Sequence, residues 1–433
     1  MAGPLTTAPA LAPHTVEYGR RSWIAAAWRY GLPIGGPVAT SGAHFLASLI
    51  FVRNLAASEF GLFSFVLVIV PFCMSIMAAL LVLPVNNALS APAEERARIE
   101  ATCLKMNLAL TALAGAVLFG LLIAARASVP AALLLAGYGA IFTLRWFARS
   151  FSFVKGRTGT AIASDIVYAA VLLAGLAAML AGHAVQLLWG ALLMLAAALA
   201  SLLPFGVRFF RDQTGAIGRG RIRDYHGIFR DITRWSLMGV VLTELTVNAH
   251  AYLVTFISGP GPFALLAVGQ ILMRPASLVQ GALPDVERPA MTRAIAAKDK
   301  ARRGRLLGDF RLVLLAVWAA TAILAATILI WAPQLLLKNT YAPSEALLAT
   351  FITGAIILVR CFRTPPSTLM QAAGELKALA HIATCTSAVS ILLTLAFLLA
   401  WGSVASLLGI LIGEIVIVVM LKRTVTGWEV RHG

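Results

Sequence analysis

Seven ionisable side chains stand within, or at the ends of, long apolar runs: His44, Arg53, Asp165, Glu244, His250, Arg274 and Glu414. A charged group at the centre of a bilayer costs about 2.5–3.5 kcal/mol on insertion scales, so each of these is a candidate for function. An arginine at that depth can grip an oxyanion through two parallel hydrogen bonds. A carboxylate such as Glu244 can exchange a proton or hold a cation. His44 and His250 are of the side-chain type that ordinarily titrates near neutrality, which suits a relay. Each also has a structural alternative. Arg53 can snorkel to the headgroups, Arg274 can pair with Glu244, and the histidines can hydrogen-bond a neighbouring helix. Asp165 and Glu414 are most simply polar contacts between helices.

The elements that must position these residues follow from composition. Of 433 residues, 60% are hydrophobic and only 12% charged, whereas a soluble chain carries about 25% charged residues. The apolar residues fall into blocks of roughly 20, the length a helix needs to cross about 30 Å of hydrocarbon. The expected spans are 32–52, 61–83, 104–125, 129–150, 160–181, 185–207, 235–257, 263–283, 312–332, 344–364, 378–400 and 403–421. No ten-residue alternation of a membrane β-barrel occurs, and the runs are rich in Ala and Leu. The fold class is therefore an all-α polytopic membrane protein with about twelve transmembrane helices. Pro33, Pro37, Pro71 and Pro275 fall inside spans and predict kinked helices.

Charge orients these helices. Lys and Arg number 35 against 18 Asp and Glu, a net charge of +17. Thirty-one of the 35 fall in the N-terminal tail, the even-numbered loops and the C-terminal tail; Arg53, Arg126 and Lys338 lie in odd loops, and Arg274 within the eighth span. That asymmetry places both termini in the cytoplasm and removes a nucleic-acid partner as the reason for the basicity. The expected organisation is a tail at 1–28, six spans over 29–207, a basic linker at 208–234, six spans over 235–421 and a tail at 422–433. The linker and the basic stretch 284–311 could bind anionic membrane lipids.

Cys73, Cys103, Cys361 and Cys385 show no metal-ligand spacing and read as small buried hydrophobes. No metal, no cofactor and no nucleotide-binding signature is expected. A membrane glycan polymerase or glycosyltransferase would place acids in a sizeable outer loop, and the odd loops hold only Glu59 and Glu345. The chain does not read as an enzyme.

The two sets of six spans are weakly alike. Setting His44 beside His250 brings Pro71 near Pro275, and "LRWFARSF" in span four matches "VRCFRTPP" in span ten. An even number of spans per repeat keeps both halves in one orientation, with the substrate site between them.

Four segments, "VRNLAASEFGLFSF" (52–65), the stretch 247–279, "LPDVERPAMTRAIAAKDK" (283–300) and "LMQAAGELKAL" (369–379), together resemble the polysaccharide-transport family. These are the O-antigen and exopolysaccharide flippases of the multidrug/oligosaccharidyl-lipid/polysaccharide exporter superfamily. The resemblance runs through nearly the whole chain in helix count and segment order, but His250 stands where the family often has aspartate. It implies two six-helix bundles around a V-shaped cavity lined by spans one, two, seven and eight. The implied activity is alternating-access export of an undecaprenyl-diphosphate-linked oligosaccharide across the bacterial inner membrane, by a monomer working beside a glycan polymerase and glycosyltransferases. On that reading Arg274, Arg53, His44 and His250 contact substrate and Glu244 couples an ion or proton. The rival within the superfamily is a cation-coupled exporter of drugs or metabolites.

Overall fold

The computed structural model describes residues 20–88, 92–219, 222–335 and 342–432, and no strand occurs among them. The elements are α1 (Arg20–Asn54), α2 (Ala57–Met77), α3 (Leu83–Asn87), α4 (Ala93–Ala124), α5 (Val129–Val154), α6 (Thr158–Ala181), α7 (Leu187–Ala200), α8 (Gly206–Arg219), α9 (Ile222–Ile228), α10 (Arg234–Ile257), α11 (Pro260–Leu272), α12 (Arg274–Ala296), α13 (Lys300–Trp331), α14 (Pro343–Ala372), α15 (Leu376–Trp401) and α16 (Ser406–His432). The expected spans fall on helical residues, the eighth on two separate helices. Among the described residues, nine helices are long and apolar enough to cross a membrane, and the pair α11–α12 makes a tenth that is bent by 61°. The first and twelfth expected spans, in α1 and α16, fall outside that count.

The bend in the eighth span follows from Pro275. Proline lacks an amide hydrogen and its ring clashes with the carbonyl four residues earlier, so a helix tends to end just before it. Here α11 stops at Leu272, Met273 turns, and Arg274 opens α12. Pro71, by contrast, is accommodated within α2, which passes through a π turn at Ala78–Val82 before α3.

Two sets of helices pack internally. In the first, α1 lies on α6, α4 on α5, and α5 and α6 on α7; in the second, α14 gathers α11, α12, α13 and α16, while α15 joins α10 to α16. The sets meet chiefly where α2 runs beside α10 and α11. At the pole opposite the chain ends this contact is tight. A Cβ built on Gly61 would lie 2.5 Å from the Pro260 carbonyl carbon and nearer still to its oxygen. Around it Phe65 meets Phe256 and Phe263 edge to face, at 5.6 and 6.5 Å. Small residues that admit a close backbone approach are how helices associate where lipid supplies no hydrophobic drive.

The segment expected as a polar linker is helical instead. Phe209, Gln213 and Ala216 of α8 are buried at three- and four-residue spacing, an amphipathic stripe laid against α4. In α9, Tyr225 donates to the Leu80 carbonyl at 2.7 Å, and burial pushes its phenol up to about 12. The linker thus belongs to the first set of helices, docked on the π turn.

Candidate functional site

Three adjoining cavities, of about 240, 200 and 210 Å³, lie within the second helix set, within the first set beside Arg274, and between the two sets, respectively. Arg274 lines all three. It reaches this position because the break in the eighth span turns the first residue of α12 toward the junction. Its Nε is buried with no hydrogen-bond partner in the protein, and no carboxylate among the described residues forms an ion pair with it. Glu244, the neighbour that could have neutralised it, instead accepts from Ser75 Oγ at 3.3 Å and Asn248 Nδ2 at 3.0 Å. Glu244 thereby bridges α10 to α2, half-buried and facing neutral donors.

The cavity of the first helix set is built around His44. Its Nε2 lies 2.7 Å from the Tyr168 hydroxyl and 3.2 Å from that of Tyr138, with Phe142 against the ring at 5.6 Å. Beside this group Asp165 accepts from Arg145 Nη2 at 2.5 Å and Arg149 Nε at 2.8 Å. Arg145 also donates to Ser164 Oγ at 3.1 Å and lies over the Tyr168 ring at 4.8 Å. Gly36 of α1 presses on the carboxylate: a Cβ there would sit 2.9 Å from Asp165 Cγ. Only glycine lets α1 approach so closely.

In the second set, His250 Nε2 meets the Gln270 side-chain amide at 2.5 Å while its Nδ1 is buried without a protein partner. Arg360 lines the same cavity. Glu414 accepts from Arg360 Nε and Arg363 Nη1, both at 2.7 Å. Each helix set therefore holds a buried acid clamped by two arginines. The arginine pairs correspond in the weak repeat, "RWFAR" with "RCFR", but the acids do not, since Asp165 is on the fifth span and Glu414 on the twelfth.

His44, His250 and Arg274 thus line the cavities, and Glu244 sits at the α2–α10 contact beside them. Arg53 stands apart, exposed at the end of α1 and lining none of the three cavities. Arg145, Arg149, Arg360 and Arg363 count with the even-numbered loops by charge although they fall in the expected spans 129–150 and 344–364; all four lie inside helices as partners of buried carboxylates. Burial of Arg145, at 2% exposure, has no signature in loop counting. The repeated arginine pair at the end of the fourth and tenth spans is the available signal. Tyr138, Tyr168 and Gln270 carry no charge and left none.

Around the three cavities, with the direct partners of their lining residues, stand five arginines, Arg145, Arg149, Arg274, Arg360 and Arg363, against the carboxylates of Asp165 and Glu414. In a low-dielectric setting such an excess favours anions and opposes cations.

No protein-family model matches the sequence, and no curated protein matches it. Solved structures share the fold. An inward-facing multidrug resistance MATE family transporter of the MOP superfamily aligns over 92% of this chain and 98% of its own, at TM-score 0.68 and 11% identity. The lipid II flippase MurJ, in an inward closed conformation, aligns over 91% of this chain and 87% of its own, at 0.64 and 15%. A MATE transporter of Vibrio cholerae aligns over 94% and 97%, at 0.59 and 13%. The chain has the helical transporter fold that MATE proteins and MurJ share.

Proposed function

We propose that this protein is a flippase of the bacterial inner membrane that carries an undecaprenyl-diphosphate-linked oligosaccharide from the cytoplasmic to the outer leaflet by alternating access, for surface polysaccharide assembly. The observation that carries the reading is Arg274: a guanidinium at the junction of three cavities, between two helix sets, with a buried Nε and no internal carboxylate. A diphosphate crossing the membrane loses its hydration, and a fixed arginine offsets that loss through charge-assisted, bidentate hydrogen bonds. His44, His250 and Gln270 supply polar contacts suited to sugar hydroxyls. The glycan polymerase and glycosyltransferases of the same pathway would work beside it.

The test is flipping of a fluorescent lipid-diphosphate oligosaccharide by protein reconstituted in vesicles. Loss of one charged hydrogen-bonding group, about 1.5–3 kcal/mol, slows Arg274→Ala by roughly ten- to hundredfold at equal protein level, with partial activity in Arg274→Lys. An unchanged rate in Arg274→Ala overturns the reading.

A second reading, cation-coupled export of a small molecule, is favoured by Glu244, a half-buried carboxylate whose two hydrogen bonds come from neutral donors. Proton- or sodium-driven uptake into vesicles that disappears in Glu244→Gln, with glycan flipping absent from the wild type, would select it. Coupling that persists in Glu244→Gln removes Glu244 from either mechanism.

A further inference from the structure

A fourth cavity, of about 570 Å³, lies away from the central site at the pole of the chain ends. The turn between α12 and α13, the turn between α14 and α15, and the last turns of α16 enclose it, and Lys298, Lys300, Arg303, Glu375, Trp428 and Arg431 line it. Lys298 is held in the left-handed region at φ 53°, a conformation that residues other than glycine rarely adopt. Its backbone closes the turn by donating to the Ile295 carbonyl at 3.0 Å. Lys300 and Arg303 follow on the first turn of α13, whose N-cap Asp299 accepts from the Arg302 amide at 2.8 Å. That cap spends the carboxylate of Asp299 on the helix rather than on the cations.

Arg303 is the least expected member. Its side chain is only 9% exposed, and the nearest carboxylate is Glu429 at 3.7 Å, on a side chain 43% exposed. That separation is well beyond the roughly 2.7–2.9 Å of a charge-assisted hydrogen bond. The guanidinium instead lies over the ring of buried Trp428, 5.2 Å from its centroid. Retention of positive charge on one side of a membrane accounts for how many cations occur at this pole. It does not account for four of them converging on a concavity with one buried among them.

The size falls within the roughly 300–1,000 Å³ typical of small-molecule sites. Arg303 precedes Arg311, and Trp428 follows Leu421, by seven or eight residues, hence about 10–12 Å of helix beyond the apolar stretches. The headgroup layer of one leaflet is roughly 5–8 Å thick. The cavity therefore lies a few ångströms beyond that layer, open to water and close to the lipid phosphates.

We propose that this cavity is a second ligand site, independent of the central one, that binds a compact anion bearing a phosphate or diphosphate group. Arg303 at its back and Lys298, Lys300 and Arg431 at its rim are the ligating cations. An occupied site ties the α12–α13 turn to the end of α16 and so braces the second helix set. The phosphate can come from a soluble phosphoester or from an anionic lipid headgroup, and the two sources are separable.

Full-length protein in phosphatidylcholine nanodiscs is titrated with pyrophosphate by calorimetry at constant ionic strength. The same protein from nanodiscs containing phosphatidylglycerol is analysed for retained lipid by native mass spectrometry. The test variant is Lys298→Gln/Arg431→Gln, since both side chains are exposed and their loss leaves the fold intact. A soluble ligand is indicated by a saturable pyrophosphate site weakened tenfold or more in the double variant and unchanged in Arg274→Ala. A headgroup is indicated by one phosphatidylglycerol fewer retained by the double variant. Identical pyrophosphate affinity together with identical lipid retention in wild type and double variant overturns the proposal, as does the absence of both signals in the wild type.

Discussion

A methyl group at Gly61 tests whether the α2–α11 contact closes one pole of the protein. The added Cβ would lie 2.5 Å from the Pro260 carbonyl carbon, whereas ordinary contact begins at 3.4 Å. The opposing atoms are backbone in the first turn of α11, so no side chain can swing aside, and because the carbonyl oxygen is nearer still the helices must part by more than about 1 Å. Overpacking of this kind costs about 1–3 kcal/mol. The helix propensity gained by replacing glycine with alanine, about 1 kcal/mol, is common to open and closed arrangements and cancels between them. At about 1.4 kcal/mol per tenfold, Gly61→Ala shifts the balance toward an opened pole by roughly five- to hundredfold. The assay is double electron–electron resonance between labels at Ser58→Cys and Ser258→Cys, both exposed, in a background lacking Cys73, Cys103, Cys361 and Cys385. A longer distance component is expected to grow in Gly61→Ala and not in the control Gly42→Ala, where a Cβ meets nothing within 4 Å. An unchanged distribution in Gly61→Ala, with wild-type thermal stability, refutes the reasoning.

Removing one partner of a buried ion pair strands the other, at about 3–5 kcal/mol. Asp165→Ala should therefore lower thermal stability in detergent sharply, while Arg145→Leu/Arg149→Leu/Asp165→Leu, which leaves neither arginine stranded, recovers most of the loss; equal losses in single and triple variants would show that the ion cluster is not the cause. Glu287 lies in α12 beyond the apolar stretch, and burial together with nearby Asp309 pushes its carboxyl above the usual range. The folded state then holds that proton more tightly than the unfolded state, so the ionised side chain destabilises above its folded value and has no effect below the ordinary carboxylate range. Glu287→Gln should accordingly raise the melting temperature at pH 7–8 with a gain that vanishes near pH 4, and a pH-independent gain would exclude this cause.

The segment "SEFGLF" shows how a motif can be legible while its reason is not. In the sequence it supports a family resemblance; in the structure its parts are mechanical. Glu59 accepts from the Ala56 amide at 3.3 Å at the start of α2, Phe60 and Phe63 are buried without exposure, and Gly61 admits Pro260. Pro275 is similar: the sequence predicts a kink, and the structure adds that the kink carries Arg274 to the junction of the cavities. The basic linker at 208–234 shows no helix by charge count, because its charges outnumber its apolar residues, yet the structure makes it helical. The helical spacing of Phe209, Gln213 and Ala216 was present all along, but one of the three is itself polar.

Composition and spacing alone determined that this chain is a bundle of membrane helices. Runs of about 20 apolar residues can satisfy their backbone in lipid only as helices, and the basic residues concentrate where those runs end. Which charges meet was decided by tertiary structure. Asp165 finds Arg145 and Arg149, and Glu414 finds Arg360 and Arg363, because particular helix faces pack together, and sequence separation does not encode facing. Arg274 was visible as an arginine within a span, but its lack of an internal carboxylate could not be read there. Pairing is a property of what surrounds a side chain in space, and packing left this one facing the cavities.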